Sequence, residues 1–206
     1  MEFWADRVVE KSWQVLLDLN EEYEFILIGG WANYLHTGSI RSKDIDIVVD
    51  FETLEQLKTS HDLKKNNNLK KYEIVVEEIS VDIYVPYFSE LLVPVEDLEN
   101  YVERTEGIQI LSSEALLVLK QGAAEDRSHS VKGQKDRADI LNLLVNSDLN
   151  LEKYGEILAE YGLEDYRKKL LKIVRNAQKE FEYLDIEDPG EVKRLKNEIV
   201  EKLRRL

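Results

Sequence analysis

Two aspartates, Asp44 and Asp46, interrupt a β-prone run at alternate positions, among Ile45, Ile47, Val48 and Val49. Residues two apart in an extended segment project to one face, so the two carboxylates stand together while Ile45 and Ile47 turn to the opposite side. Carboxylates so close repel each other, and burial raises the cost, unless protons or cations neutralise them. A divalent cation resolves the conflict. Magnesium takes hard oxygen ligands, usually one or two carboxylates, with waters and phosphates completing its shell. A third acid stands in VDIYV, where Asp82 lies between Val81 and Ile83 in a second apolar alternation. If that strand pairs with the first, three carboxylates converge, a set able to hold two cations about 3.5–4 Å apart for an in-line displacement at phosphorus. Asp82 would then help to activate the incoming hydroxyl.

Upstream, Gly29 and Gly30 close a short apolar run and precede Trp31 to His36. A side-chain-free turn that opens a helix presents backbone N–H groups to phosphate oxygens and lets the chain approach them closely. Each feature alone is ordinary. A glycine pair is most often only a turn, a lone D-x-D usually marks an exposed strand edge, and Asp82 by itself is the polar face of an amphipathic strand. The order is what points to phosphate chemistry: strand, glycine pair, helix, paired-acid strand, later single-acid strand.

The elements needed to position these residues are legible in the periodicity. Phe3, Trp4, Val8, Val9, Trp13, Leu16 and Leu17 recur at helical spacing and predict an opening helix ending near Asn20. Phe25 to Ile28 and Ile45 to Val49 read as strands, with a helix around Glu52 to Lys58 after the second. The KKNNN run from Lys64 to Asn68 reads as a turn or loop, and Tyr72 to Glu77 and Ile79 to Val85 as successive strands. Ile108 to Leu111 is expected to add an edge strand. Beyond it the signals are helical: Glu114 to Ala124 behind a serine cap, Gln134 to Val145, and one or two helices between Leu151 and Tyr183. In DPGE, Asp188 can cap a last helix, Pro189 fits its first position and Glu191 can close a capping box. Val192, Leu195, Ile199 and Leu203 form its apolar stripe. The expected fold class is α+β: a small mixed sheet with flanking helices in residues 1–111, then a helical domain in 112–206 that closes the active-site cleft.

The 206 residues are 43% hydrophobic, ample for a packed core. No apolar run approaches the roughly 20 residues of a membrane span, and the first residues are acidic where a signal peptide would be basic, so cytoplasmic residence without a membrane is expected. The absence of cysteine removes zinc–sulfur sites, and three scattered histidines argue against a histidine cluster, so any metal is expected to be held by oxygen. The net charge of −14 argues against a broad nucleic-acid surface. Residues 1–111 carry 10 basic and 23 acidic side chains, whereas 112–206 carry 18 and 19, which leaves room for a local basic patch in the second half.

GGWANYLH, then RSKDIDIVV, then VDIYV together resemble the signature of the DNA polymerase β-like nucleotidyltransferase superfamily, over roughly residues 24 to 86. The resemblance implies that Gly29 and Gly30 bind a triphosphate, that Asp44 and Asp46 are metal ligands and that Asp82 is the third catalytic acid. It also implies magnesium as cofactor, as two ions, with manganese able to substitute. A further block, LLVLKQGAAEDRSHSVKGQKDRADILNLL, is similar to a helical segment of the AbiEii-type branch, and the matching positions are Lys120, Arg127, Lys135, Asp136 and Asp139. Ser42 departs from the threonine of many relatives but keeps the hydroxyl.

Read from the residues alone, Arg127, Lys132 and Lys135 would supply positive charge to a triphosphate. The competing reading is an ion pair between Lys135 and Asp139, four apart on one helical face. Arg41 either reaches phosphate or pairs with a nearby carboxylate, and Ser39 is a weaker phosphate candidate. His36 and His129 have polar neighbours, but a lone histidine is more often incidental. The resulting expectation is an enzyme that moves a nucleoside monophosphate from an NTP to an acceptor hydroxyl and releases pyrophosphate. The acceptor is open among tRNA, protein and small molecules, and a cognate antitoxin partner is among the implications of the AbiEii likeness. The alternative is a nucleotide-binding or partner-binding module that kept the fold without turnover.

Overall fold

The computed structural model describes residues 2–206, with side chains from Asp6 onward, so Phe3 and Trp4 lie outside the described side chains. The chain divides into two compact units, Met1–Leu35 with Arg41–Ser112, and His36–Ile40 with Ser113–Leu206.

The first unit is built on a seven-stranded mixed sheet. Its strands are β1 (Ile26–Ile28), β2 (Ile45–Val48), β3 (Lys64–Asn66), β4 (Lys71–Val76), β5 (Ile79–Tyr84), β6 (Val102–Thr105) and β7 (Ile108–Leu111), in the spatial order β3-β4-β5-β2-β1-β7-β6. β2 runs parallel to β5 and antiparallel to β1. Helix α1 (Glu2–Glu22) contacts β5, α2 (Gly29–Thr37) follows β1 directly, and α3 (Phe51–Ser60) follows β2. Alternation divides the central strands as their sequences require. Ile45, Ile47, Val81 and Ile83 are fully buried, each contributing about 1.5–3 kcal/mol of apolar burial, while Asp46 and Asp82 between them are only partly covered.

Two strand expectations are corrected. Lys64 to Asn66 is not loop but strand β3, whose Lys64 and Asn66 pair with Glu73 and Lys71. Only the following residues turn, with Asn66 Oδ1 accepting from the Leu69 backbone N–H at 3.0 Å and Lys70 at φ 51°. Ile108–Leu111 is interior rather than edge, lying between β1 and the unanticipated strand β6. The β4–β5 and β6–β7 hairpins turn through Glu77–Glu78 and Glu106–Gly107, each with both central residues at positive φ. That is the twist a two-residue hairpin needs, although only the second pair contains the glycine that usually signals it.

The second unit is helical: α4 (Ser113–Asp126), α5 (Val131–Asn146), α6 (Leu151–Glu160), α7 (Asp165–Asn176), the short α8 (Lys179–Glu182) and α9 (Pro189–Arg205). Three helices therefore occupy the stretch expected to hold one or two. α5 starts earlier than its apolar pattern indicates because Ser130 caps it, accepting from the Gly133 N–H at 3.0 Å. Asp188 caps α9 through the Glu191 N–H at 2.7 Å, with Pro189 at the first helical position, and Ile199 and Leu203 are buried. Among the described residues no helix is long and apolar enough to cross a membrane.

Candidate active site on the sheet

β2 holds only the second of the paired acids, so the strand alternation expected to set both on one face does not extend to Asp44, which lies in a bend. Asp46 lies within the strand, and Asp44 sits exposed two residues before it, at the strand's entrance. Because β2 and β5 are adjacent and parallel, Asp46 is directly opposite Asp82. β5 in turn pairs with β4 so that Asp82 faces Glu73. Opposed residues in neighbouring strands share a face, so Asp46, Asp82 and Glu73 form a row of carboxylates across three strands. Glu73 was not a sequence candidate, since its place in the row depends wholly on pairing between β4 and β5.

The glycine pair is coupled sterically to these acids. Ile28, the last residue of β1, pairs with Asp46, which brings the start of α2 over the acid strand. Gly29 has φ +70°, and a Cβ there would collide with the Asp46 carboxylate. At Gly30 a Cβ would lie 2.5 Å from the Ser42 hydroxyl oxygen and 2.8 Å from its Cβ. The two glycines thus allow the helix N-terminus to sit against the D-x-D segment, with its first N–H groups unused by the helix itself. α2 is fixed from behind by Trp31, which is 1% exposed and donates through Nε1 to Ser12 on α1 at 2.8 Å. Trp31 also meets Trp13 and Tyr34 at centroid distances of 5.0 and 5.5 Å.

This packing yields a double-mutant test. Gly30→Ala should destabilise the chain by about 1–3 kcal/mol through overpacking against Ser42. Adding Ser42→Gly should recover most of that loss, because the same contact would be relieved. Urea titrations of the two single variants and the double variant measure the coupling, and strict additivity would place the strain elsewhere.

A lysine enters the row from β4. Lys71 Nζ lies 2.6 Å from Asp82 Oδ2 and 3.1 Å from Glu73 Oε1, with only 12% of its side chain exposed. Asn66 adds a 3.2 Å hydrogen bond to Glu73. Burial acts to lower the Lys71 pKa, but the hydrogen bonds and charges of Asp82 and then Glu73 outweigh it and raise it above the ordinary lysine value. Glu73 is held below the usual carboxylate range, chiefly by its hydrogen bond from Lys71. Lys71 is therefore a permanent cation at neutral pH.

The donor set suits a hard divalent cation, since every candidate ligand is a carboxylate oxygen. Asp44 and Asp46 fit that role by position. Asp82 lies in register beside them but is engaged by Lys71. Among the described residues, no three acidic or histidine side chains are gathered closely enough to hold one ion. The strand pairing thus sets Asp46 opposite Asp82, with Asp44 two residues before the first, without assembling the three into a three-ligand cage.

The remaining candidates have other surroundings. The Arg41 guanidinium lies over the Tyr34 ring at 5.8 Å, a cation–π contact that neither of its expected roles anticipated. Ser39 belongs to the helical unit, where its hydroxyl donates to Asn142 Oδ1 at 3.0 Å. Also in that unit, the Lys135–Asp139 ion pair is corrected: Asp139, 1% exposed, takes Lys120 of α4 at 2.6 Å, and Lys135 is exposed. Arg127 pairs with the buried Asp136 at 2.9 Å. Burial, opposed by the charges of Lys120 and Arg127, leaves the Asp136 pKa raised.

No protein-family model matches the sequence, and no curated protein resembles it at a significant level. Solved structures do share its architecture. JHP933 from Helicobacter pylori superposes with a TM-score of 0.50 at 18% identity, over 97% of this chain and 90% of that one. A second H. pylori protein, provisionally named a nucleotidyltransferase, superposes with a TM-score of 0.54 at 18% identity, over 96% of this chain and 95% of its own. At such identities the likeness establishes architecture: the chain has the α+β fold of nucleotidyltransferase-like proteins.

Proposed function

We propose that the protein is a metal-dependent nucleotidyltransferase, moving a nucleoside monophosphate from an NTP to an acceptor hydroxyl. The observation that carries this reading is the seating of the helix-opening Gly29 against the Asp46 carboxylate, with Asp82 in register on the next strand. Backbone N–H groups able to meet phosphate and carboxylates able to meet a cation would thereby stand side by side. The helix N-terminus would hold triphosphate oxygens, and Asp44 and Asp46 would hold magnesium or manganese. When bound, the cation supplies charge neutralisation and alignment of the phosphates.

The acceptor oxygen bonds to the α-phosphorus as the bond from that phosphorus to the bridging oxygen breaks, and pyrophosphate leaves with the electron pair. Asp82, with Oδ2 held by Lys71, would take the acceptor proton on Oδ1. Positioning and electrostatics would account for most of the rate enhancement, as is usual in phosphoryl-group chemistry.

The test is incubation of the chain with each labelled NTP, magnesium and a cell extract, reading both pyrophosphate release and the species that gains label. Magnesium-dependent release with one labelled product supports the reading. NTP binding with no release for any nucleotide would instead favour the non-catalytic module. The finer expectations, an AbiEii-type relationship with a tRNA acceptor and a cognate antitoxin, belong to this same assay: label on tRNA supports them, and label on a protein or small molecule removes the tRNA assignment.

A further inference from the structure

We infer that Lys71 limits the acid row to one divalent cation, by standing as the fixed counter-charge of Asp82 and Glu73 where a second ion would otherwise bind. This rests on the reading that Asp44 and Asp46 hold a metal, and it goes beyond it by naming what sets the number of ions.

Asp46, Asp82 and Glu73 stand in register on β2, β5 and β4, and three carboxylates in a row demand compensation. Lys71 lies two residues before Glu73 on the same face of β4. Its ammonium contacts the second and third members of the row, and its side chain is largely shielded from water. The first member instead sits against Gly29, beside Asp44. The row is thus divided. Lys71 occupies the Asp82 and Glu73 end, while the Asp46 end lies against the helix-opening glycine. Asp82 has one carboxylate oxygen occupied by a strong charge-assisted hydrogen bond, which a metal would have to displace. Lys71 is accordingly a positioning residue, acting through Asp82.

Manganese alone, titrated into the full chain and counted by electron paramagnetic resonance, tests this without any turnover. The native chain should bind one ion. Lys71→Met frees two carboxylates and should bind manganese on the order of tenfold more tightly and take up a second ion. Lys71→Arg keeps the cation and should return the count to one. Asp82→Asn placed in the Lys71→Met background should abolish the second ion. Two ions in the native chain, or a Lys71→Met variant with native count and affinity, would overturn this inference while leaving the metal reading intact. Absence of manganese binding in both the native chain and Lys71→Met would overturn both. Circular dichroism spectra matching the native chain confirm that each variant is folded.

Discussion

Asp46→Asn is expected to lower nucleotide transfer on the order of a thousandfold while leaving the melting temperature level or raised. The two effects come from one cause. Asp46 is directly opposite Asp82 and two residues from Asp44, so like charges gather on this stretch of the sheet. Removing one charge relaxes that repulsion at no packing cost, since asparagine has nearly the same shape and fits the space over Gly29. On the proposed function the same change would replace a hard anionic ligand by a neutral amide, which a magnesium ion binds poorly, and the triphosphate would lose its alignment. Pyrophosphate release measured at saturating NTP, beside a thermal melt, separates the outcomes. Undiminished release removes Asp46 from the chemistry, and a large loss of stability would make it a structural residue instead.

The strands that carry the acids were legible because their apolar partners are β-branched and strictly alternate. Ile45 and Ile47 on one strand, with Val81 and Ile83 on the other, announce a buried face, and the aspartates between them must then point away from it. What the sequence could not supply is pairing. Nothing in Lys71 or Glu73 marks them as neighbours of Asp82, since that relation exists only once β4 lies antiparallel to β5. The lysine- and asparagine-rich composition of residues 64–68 favours a turn, yet edge pairing with β4 draws the first three residues into the sheet. β6 was hidden for a related reason. Val-Glu-Arg-Thr is an edge strand with no buried residue, so it lacks the apolar alternation that periodicity detects.

The glycine pair shows a different limit. Its presence suggested a phosphate-binding turn, but its necessity is visible only against its neighbours. Gly29 is required by the Asp46 carboxylate and by its own positive φ, and Gly30 by Ser42. Likewise, i,i+4 spacing described Lys135 and Asp139 on their own helix and said nothing of Lys120, which arrives from the preceding helix to take Asp139. Local spacing identifies which groups can meet within an element, and tertiary packing decides which do.

That substitution of partners leads to the second large effect. Lys120→Met is expected to destabilise the helical unit by about 3–5 kcal/mol, because the buried Asp139 carboxylate would lose the lysine that contacts it at 2.6 Å. Lys120 is 9% exposed and Asp139 1%, with the adjacent Asp136 buried as well, so water cannot readily take the lysine's place. The double change Lys120→Met with Asp139→Leu should return to within about 1 kcal/mol of the native chain, since apolar groups of similar volume often replace a buried pair without loss. Urea titrations followed by far-ultraviolet circular dichroism, which reports this helix-rich half, measure both. If Lys120→Met leaves the midpoint unchanged and instead abolishes NTP binding, the pair serves the nucleotide. A lost midpoint rescued by the double variant identifies it as the electrostatic pin between α4 and α5.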